Sequence, residues 1–223
     1  MAFTYASVMR EMATILQDVG AVRWTAPEMK KWIDLALVDV FTAKPNVKVM
    51  VVQHPLVAGA RQTLRPEYAM ALAFLRNTGG GAVEMLHNLD TLNRWQPGWD
   101  TLPSAAKIHY VHHSQVTPRI FTVVPPAAAG ASLEMEVAVA PTPAAGPTGV
   151  NAVDMTKYTA DVDLPDAYET AVLHFALYRS YMKDGDNPAA VQQAQVHQTI
   201  AAKALSDLTA GEAAITAAAR ARA

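Results

Sequence analysis

Val47-Lys48-Val49-Met50-Val51-Val52-Gln53 is the stretch at which the chain changes character. Its side chains alternate and are mostly β-branched, a combination that suits a pleated, half-buried strand and is disfavoured in a helix. Upstream the pattern is helical. Val8, Met12, Ile15, Leu16 and Val19 recur at three- and four-residue steps over residues 4–19, and Gly20 stops the run. Thr25-Ala26-Pro27-Glu28 then opens a second helix, with Thr25 as cap, Pro27 in the first turn and Glu28 completing a capping box. Trp32, Leu35, Ala36 and Val40 follow, Ile33, Leu37 and Phe41 widen the apolar face, and Lys44-Pro45 closes the helix. A helical hairpin followed by a strand makes this a mixed chain.

Downstream, Tyr68, Leu72 and Leu75 fall on one side of a predicted short helix at about residues 66–76. Thr78-Gly79-Gly80-Gly81 is a break, residues 82–86 predict a strand and 88–95 a short turn of helix. Three further strands are expected at 106–112, 119–124 and 132–140, with Pro125-Pro126 and Gly130 marking the turn between the last two. The run from Pro141 to Gly149 is too rich in proline and glycine for regular structure and predicts a surface loop or arm. Helix returns at Leu164-Pro165-Asp166, where Tyr168, Val172, Phe175, Leu177, Tyr178 and Tyr181 make an apolar stripe ending at Lys183-Asp184-Gly185. Asn187 caps a last helix that begins at Pro188 and runs to about Leu208. The expected fold is α+β. The terminal helices (residues 1–45 and 164–209) form a mainly α-helical bundle. A β-rich lobe is inserted at 46–163, with the 66–76 helix and the 141–149 loop inside it, and residues 210–223 form an alanine-rich tail.

Composition narrows the function. Of the 223 residues 51% are apolar but only 7% aromatic, so alanine carries much of the hydrophobicity. Charged residues make up 17%, against roughly 25% in ordinary globular chains. So sparsely charged a surface is expected to be covered by neighbouring subunits. A net charge of −2 without a Lys/Arg cluster argues against general nucleic-acid binding. The absence of cysteine excludes disulfides, zinc–thiolate sites and thiol catalysis. No signal peptide is expected from Met1-Ala2-Phe3-Thr4-Tyr5, and no apolar run approaches the ~20 residues of a membrane span, so a soluble product of a reducing compartment is expected.

No constellation for catalysis, metal or cofactor emerges. On a strand, His109 and His113 share a face while His112 points the other way, and residues four apart are about 13 Å apart. No carboxylate nearby completes a ligand set, so these are expected to be surface or interface histidines. His54, His87, His174 and His197 stand isolated in the sequence. The glycine run lacks the GK[ST] ending of a phosphate loop, and Glu134/Glu136 fit a solvated strand edge better than a catalytic dyad. Trp95-Gln96-Pro97-Gly98-Trp99 forms a stiff aromatic corner. It suits a packing plug between helical and β lobes or, more sharply, an anchor at a subunit interface.

Several stretches, read in order, resemble the head-to-tail adaptor (connector) family of tailed bacteriophages. They are Asp18…Arg23-Trp24-Thr25…Glu28…Trp32-Ile33-Asp34, then Pro45, Gln62 and Leu64, Arg76-Asn77, Leu89-Asp90…Pro97-Gly98-Trp99 and Ala106-Lys107-Ile108-His109-Tyr110. They continue with the strand from Thr117-Pro118-Arg119 to Pro125-Pro126, and with Leu164-Pro165-Asp166-Ala167-Tyr168…Leu177-Tyr178-Arg179-Ser180-Tyr181-Met182-Lys183-Asp184. The resemblance implies a structural virion protein with no enzymatic activity, made in the host cytoplasm and placed in the neck between capsid and tail. It implies a homo-oligomeric ring, dodecameric in this family, that binds the portal above and tube, nozzle or fibre components below, with viral DNA passing through unread. A membrane has no place in it. Interface residues are then expected at Trp95, Trp99, Ile215, Arg220 and Arg222. The tail is expected to be disordered in the free subunit and to become helical on the portal, its arginines meeting acidic portal groups. Another neck or tail-completion protein is the alternative reading, and a small metal-dependent hydrolase using the His109–His113 region a more distant one.

Overall fold

A computed structural model describes residues 3–220, with side chains described as far as Ala214. In chain order the elements are α1 (Tyr5–Ile15), α2 (Ala26–Ala43), β1 (Val49–Pro55), β2 (Gly59–Thr63), β3 (Met70–Asn77), β4 (Glu84–Leu86), α3 (Leu89–Trp95), β5 (Tyr110–His113), β6 (Ile120–Ala127), β7 (Ser132–Ala138), α4 (Glu169–Met182) and α5 (Pro188–Arg220). The fold is α+β, in two compact units: Met1–Lys44 with Pro141–Ala223, and Pro45–Ala140.

In the helical unit α4 lies against α1, α2 and α5. Met9 and Met12 of α1, Met29, Ile33 and Leu37 of α2, and Val172 and Leu177 of α4 are all buried. Alanines 36, 171 and 176, equally buried, let the helix backbones approach closely. Both N-termini are closed by their own sequence. The Ser7 amide donates to Thr4 Oγ1 at 3.1 Å, and the Glu28 carboxylate accepts from the Thr25 amide and hydroxyl at 3.1 and 3.0 Å.

The loop between α1 and α2 is folded around Asp18. Its carboxylate accepts from the amides of Val22, Arg23 and Trp24 at 3.0, 2.8 and 2.9 Å, which delivers the Trp24 ring to the end of α4. There Trp24 Nε1 donates to the Ser180 carbonyl at 3.1 Å. Arg23 pairs with Asp184, and Lys183 Nζ reaches Glu28 Oε1 at 2.9 Å. These three amides, Trp24's first among them, hold the Asp18 carboxyl below its ordinary 3.8. Its contribution is therefore complete above pH 3.8 and disappears as pH falls through the lowered value. Because the site is solvent-screened, Asp18→Ala is expected to cost only about 1 kcal/mol at pH 7. In urea titrations the difference from wild type should shrink toward zero as the pH is taken well below 3.8.

The β unit holds two sheets, β1-β7-β3 and β2-β6-β5-β4, antiparallel except for the parallel β4–β5 pair. One apolar core is shared between them, including Phe74, Ile108, Phe121, Leu133, Met135 and Val137. Asn77 stitches it. Its Oδ1 accepts from the Ile108 amide at 2.8 Å and its Nδ2 donates to the Ile108 carbonyl at 2.9 Å, imitating one rung of a ladder. Asn77→Leu removes both partners from buried backbone groups and is expected to destabilise the β unit by about 2–4 kcal/mol. A lowered melting transition of the strand signal in circular dichroism would show it.

Four expectations are corrected. The 66–76 stretch is not a helix but mostly β3, paired with β7 through two bulges, between Ala71 and Ala73 and between Phe74 and Arg76. Each bulge adds a residue, so the buried positions Ala71, Phe74 and Asn77 recur every three and imitate a helical face. Pro125 and Pro126 lie inside β6, not in the turn; they stand beyond its pairing with β5 and beside the β2 register shift, where no ladder amide is needed. Residues 141–163 belong to the helical unit. The amides of Tyr5 and Ala6 donate to the carbonyls of Ala160 and Tyr158 at 3.1 and 2.9 Å, and the Ala144 amide donates to Tyr5 Oη at 3.3 Å. Finally, residues 210–220 continue α5 as helix, where the helix was expected to end near Leu208. Extending a helix already docked avoids the nucleation cost, and alanine's propensity offsets Gly211.

Candidate assembly surfaces

A strand at the end of a sheet offers unpaired amides and carbonyls to any extended chain, and proteins ordinarily blunt such edges. Three of the four edges here are blunted. β4 is three residues long. β2 is five residues long and carries the exposed Arg61. β3 is covered where the Ala71 amide donates to the Pro118 carbonyl at 3.0 Å and where Arg76 bridges to Ala82. β1 differs. Over its seven residues Val49, Met50 and Val51 are consecutive and 45, 46 and 56% exposed.

The pairing of β1 with β7 fixes which backbone groups it presents. The Val139 amide donates to the Lys48 carbonyl at 3.0 Å and the Leu56 amide to the Ala131 carbonyl at 2.8 Å, so the even-numbered residues face β7. Val49, Val51 and Gln53 therefore turn their peptide groups away from it. Pro55, also outward, has no amide and ends the usable edge. The result is an uncharged strand template from Val49 to Gln53.

A second surface runs along α5. The helix meets α4 through a narrow seam of Ala190, Ala194, His197, Ala201 and Leu205, all buried. Beside the seam, an apolar groove of about 550 Å³ is lined by Phe175, Ala202, Leu205, Thr209 and Ala213 among others. Lys44, at the end of α2, reaches Glu212 Oε2 at 2.5 Å and ties down the far part of α5.

Of the anticipated interface residues, Trp95 and Trp99 belong to the β unit and Ile215 and Arg220 to the helical one. Trp95 ends α3 and is 63% exposed, its ring edge-on to Tyr110 at 5.6 Å. Trp99 is half-buried and donates Nε1–H to Asn93 Oδ1 at 2.8 Å, after Gly98 turns the chain with φ of 79°. Ile215 and Arg220 lie on the α5 backbone, and Arg222 lies outside the described residues. Of the histidines, His109 precedes β5 rather than lying in it. His112 Nδ1 contacts the Leu86 carbonyl at 2.9 Å and His113 Nε2 the Pro118 carbonyl at 3.1 Å. Among the described residues no three His, Asp or Glu side chains form a group that could hold a metal ion, and no helix is long and apolar enough to cross a membrane.

Two features escaped the sequence reading. β1 was legible as a strand, but its position at an open edge depends on sheet order. His174 and His197, isolated in the sequence, come together with their Nδ1 atoms 2.8 Å apart. The signal was there: His174 lies eight residues before the end of α4 and His197 nine after the start of α5, so an antiparallel hairpin sets them opposite.

The open β1 edge and the alanine seam are surfaces suited to contacts with other chains. A family model described as SU10 adaptor protein matches residues 3–222. The chain belongs to this family of phage head-to-tail adaptors, and is a structural adaptor protein that interacts with other virion components. No curated protein matches it significantly.

Proposed function

We propose that copies of this chain form a closed ring, dodecameric as the family resemblance implies, that joins portal to tail and lets the genome pass through its centre. The observation that carries the ring is the open β1 edge. In a ring every interface repeats the same head-to-tail contact, so one unblunted edge per copy is occupied by an extended segment of the neighbouring copy. An uncharged window favours such an apolar partner over an acidic or basic one. The helical bundle of the terminal helices then serves as scaffold, with the inserted lobe contributing the contact. Trp95 adds an exposed aromatic anchor of the kind enriched at interfaces. The α5 extension as far as Arg220 is the part we assign to the portal, with Arg220 and Arg222 meeting acidic groups there. The weak net charge of −2 suits a passage that must not hold DNA.

Negative-stain imaging and mass photometry of the purified chain, alone and mixed with a portal ring, test the reading. Rings of uniform size, appearing alone or on the portal, are expected. A chain that stays monomeric under both conditions up to tens of micromolar overturns it.

A further inference from the structure

The α4–α5 seam has one feature that alanine packing does not explain. His197 is 7% exposed; its ring meets that of His174 edge to edge, at a centroid distance of 5.0 Å, and lies nearly parallel to that of Tyr181 at 5.4 Å. With Leu205 it is one of the two α5 side chains in the seam larger than alanine, so part of the docking rests on these ring contacts. The two Nδ1 atoms, 2.8 Å apart, admit only one arrangement of protons: one ring donates and the other accepts. A first added proton can go to Nε2 of the donor ring and leave the contact intact. A second must go to the accepting Nδ1, and then two N–H groups, each on a cation, face one another.

We propose that the His174–His197 contact is a pH-sensitive latch, and that acidification releases α5 from α4. The pair tolerates one positive charge and not two. The ionisable groups facing it are few among the described residues. Glu11 of α1 favours a charge on His174, whereas Tyr181 of α4, its hydroxyl pushed up by burial, stays neutral throughout. Burial lowers both imidazoles below the usual 6.5, and His174 lowers His197 further. The docked state therefore binds fewer protons than the released one. Docking is complete above pH 6.5 and is lost as pH falls through the lowered values. The ratio of released to docked helix should rise by about ten- to a hundredfold per pH unit there, as one or two protons are taken up.

The lack of native cysteine makes the test direct. Spin labels on M182C and V196C, both exposed positions of the full chain, report the α4–α5 distance in frozen samples from pH 8 to 4.5. A single narrow distribution at pH 8 should broaden and lengthen below pH 6.5. With H174F/H197F, which keeps the rings but not the protons, it should stay narrow across the range. If that pair disturbs docking at pH 8, H197Q, which hydrogen-bonds without titrating, takes its place. A wild-type distribution unchanged to pH 4.5, or a non-titrating variant that opens alongside the wild type, overturns the latch.

Discussion

In the proposed ring, replacing Val51 with proline is expected to weaken subunit association at least about a hundredfold while leaving the chain folded. The peptide group of Val51 points away from β7, so losing its amide removes no ladder hydrogen bond within the chain, and edge strands accept proline. For an incoming strand, however, that position is the middle of the window. The missing donor removes one backbone bond outright and the ring projecting from the edge obstructs its neighbours, together about 3 kcal/mol. Analytical ultracentrifugation should show the assembled species of the wild type and mostly monomer for V51P, with melting temperatures within a few degrees. Should V51P assemble as tightly as wild type, β1 is not the contact, whatever the merits of the ring.

Trp24→Ala is expected to be the most damaging single change in the helical unit, at about 3–5 kcal/mol. The ring is 7% exposed and fills the junction of the α1–α2 loop with the end of α4, so truncation leaves a cavity and strands the polar contacts around it. Arg23–Asp184 and Lys183–Glu28 lie at the same junction but are partly exposed, and they cannot substitute for the lost packing. Trp24→Phe keeps most of the volume and loses the Nε1–H donation, while the Lys183 amide still reaches the Ser180 carbonyl at 3.2 Å. It should cost only about 1 kcal/mol. Denaturant titrations followed at 222 nm distinguish the two, and equal effects would show that the hydrogen bond and not the ring carries the junction.

The comparison of Trp24 with β3 shows what the sequence could and could not disclose. Two helix starts were readable because their chemistry is local: the Thr25–Glu28 box and the Pro188 start lie where capping rules place them. By contrast, α1 stops at Ile15, short of the Gly20 expected to end it, and α5 runs past Leu208. The residues from Asp18 to Glu28 and from Ser180 to Asp184, quoted for their family resemblance, turn out to meet one another. β3 was misread because two bulges reset a two-residue period to three, an effect decided by its partner β7 and not by its own residues. β2, short and with no β-branched residue before Thr63, gave almost no local signal. The histidine pair and the open edge were hidden for a related reason: each depends on which elements become neighbours. Local propensity carries no such information.

The entry and exit of the β unit have one more consequence. Lys48 and Val139, three residues from one end of the lobe and one from the other, are joined by a backbone hydrogen bond. The lobe's two connections to the rest of the chain thus leave it side by side, as the two leads of a plug do. A segment attached this way can be excised and replaced by a short turn, or exchanged for another of different size, without asking the remaining helices to bridge a gap.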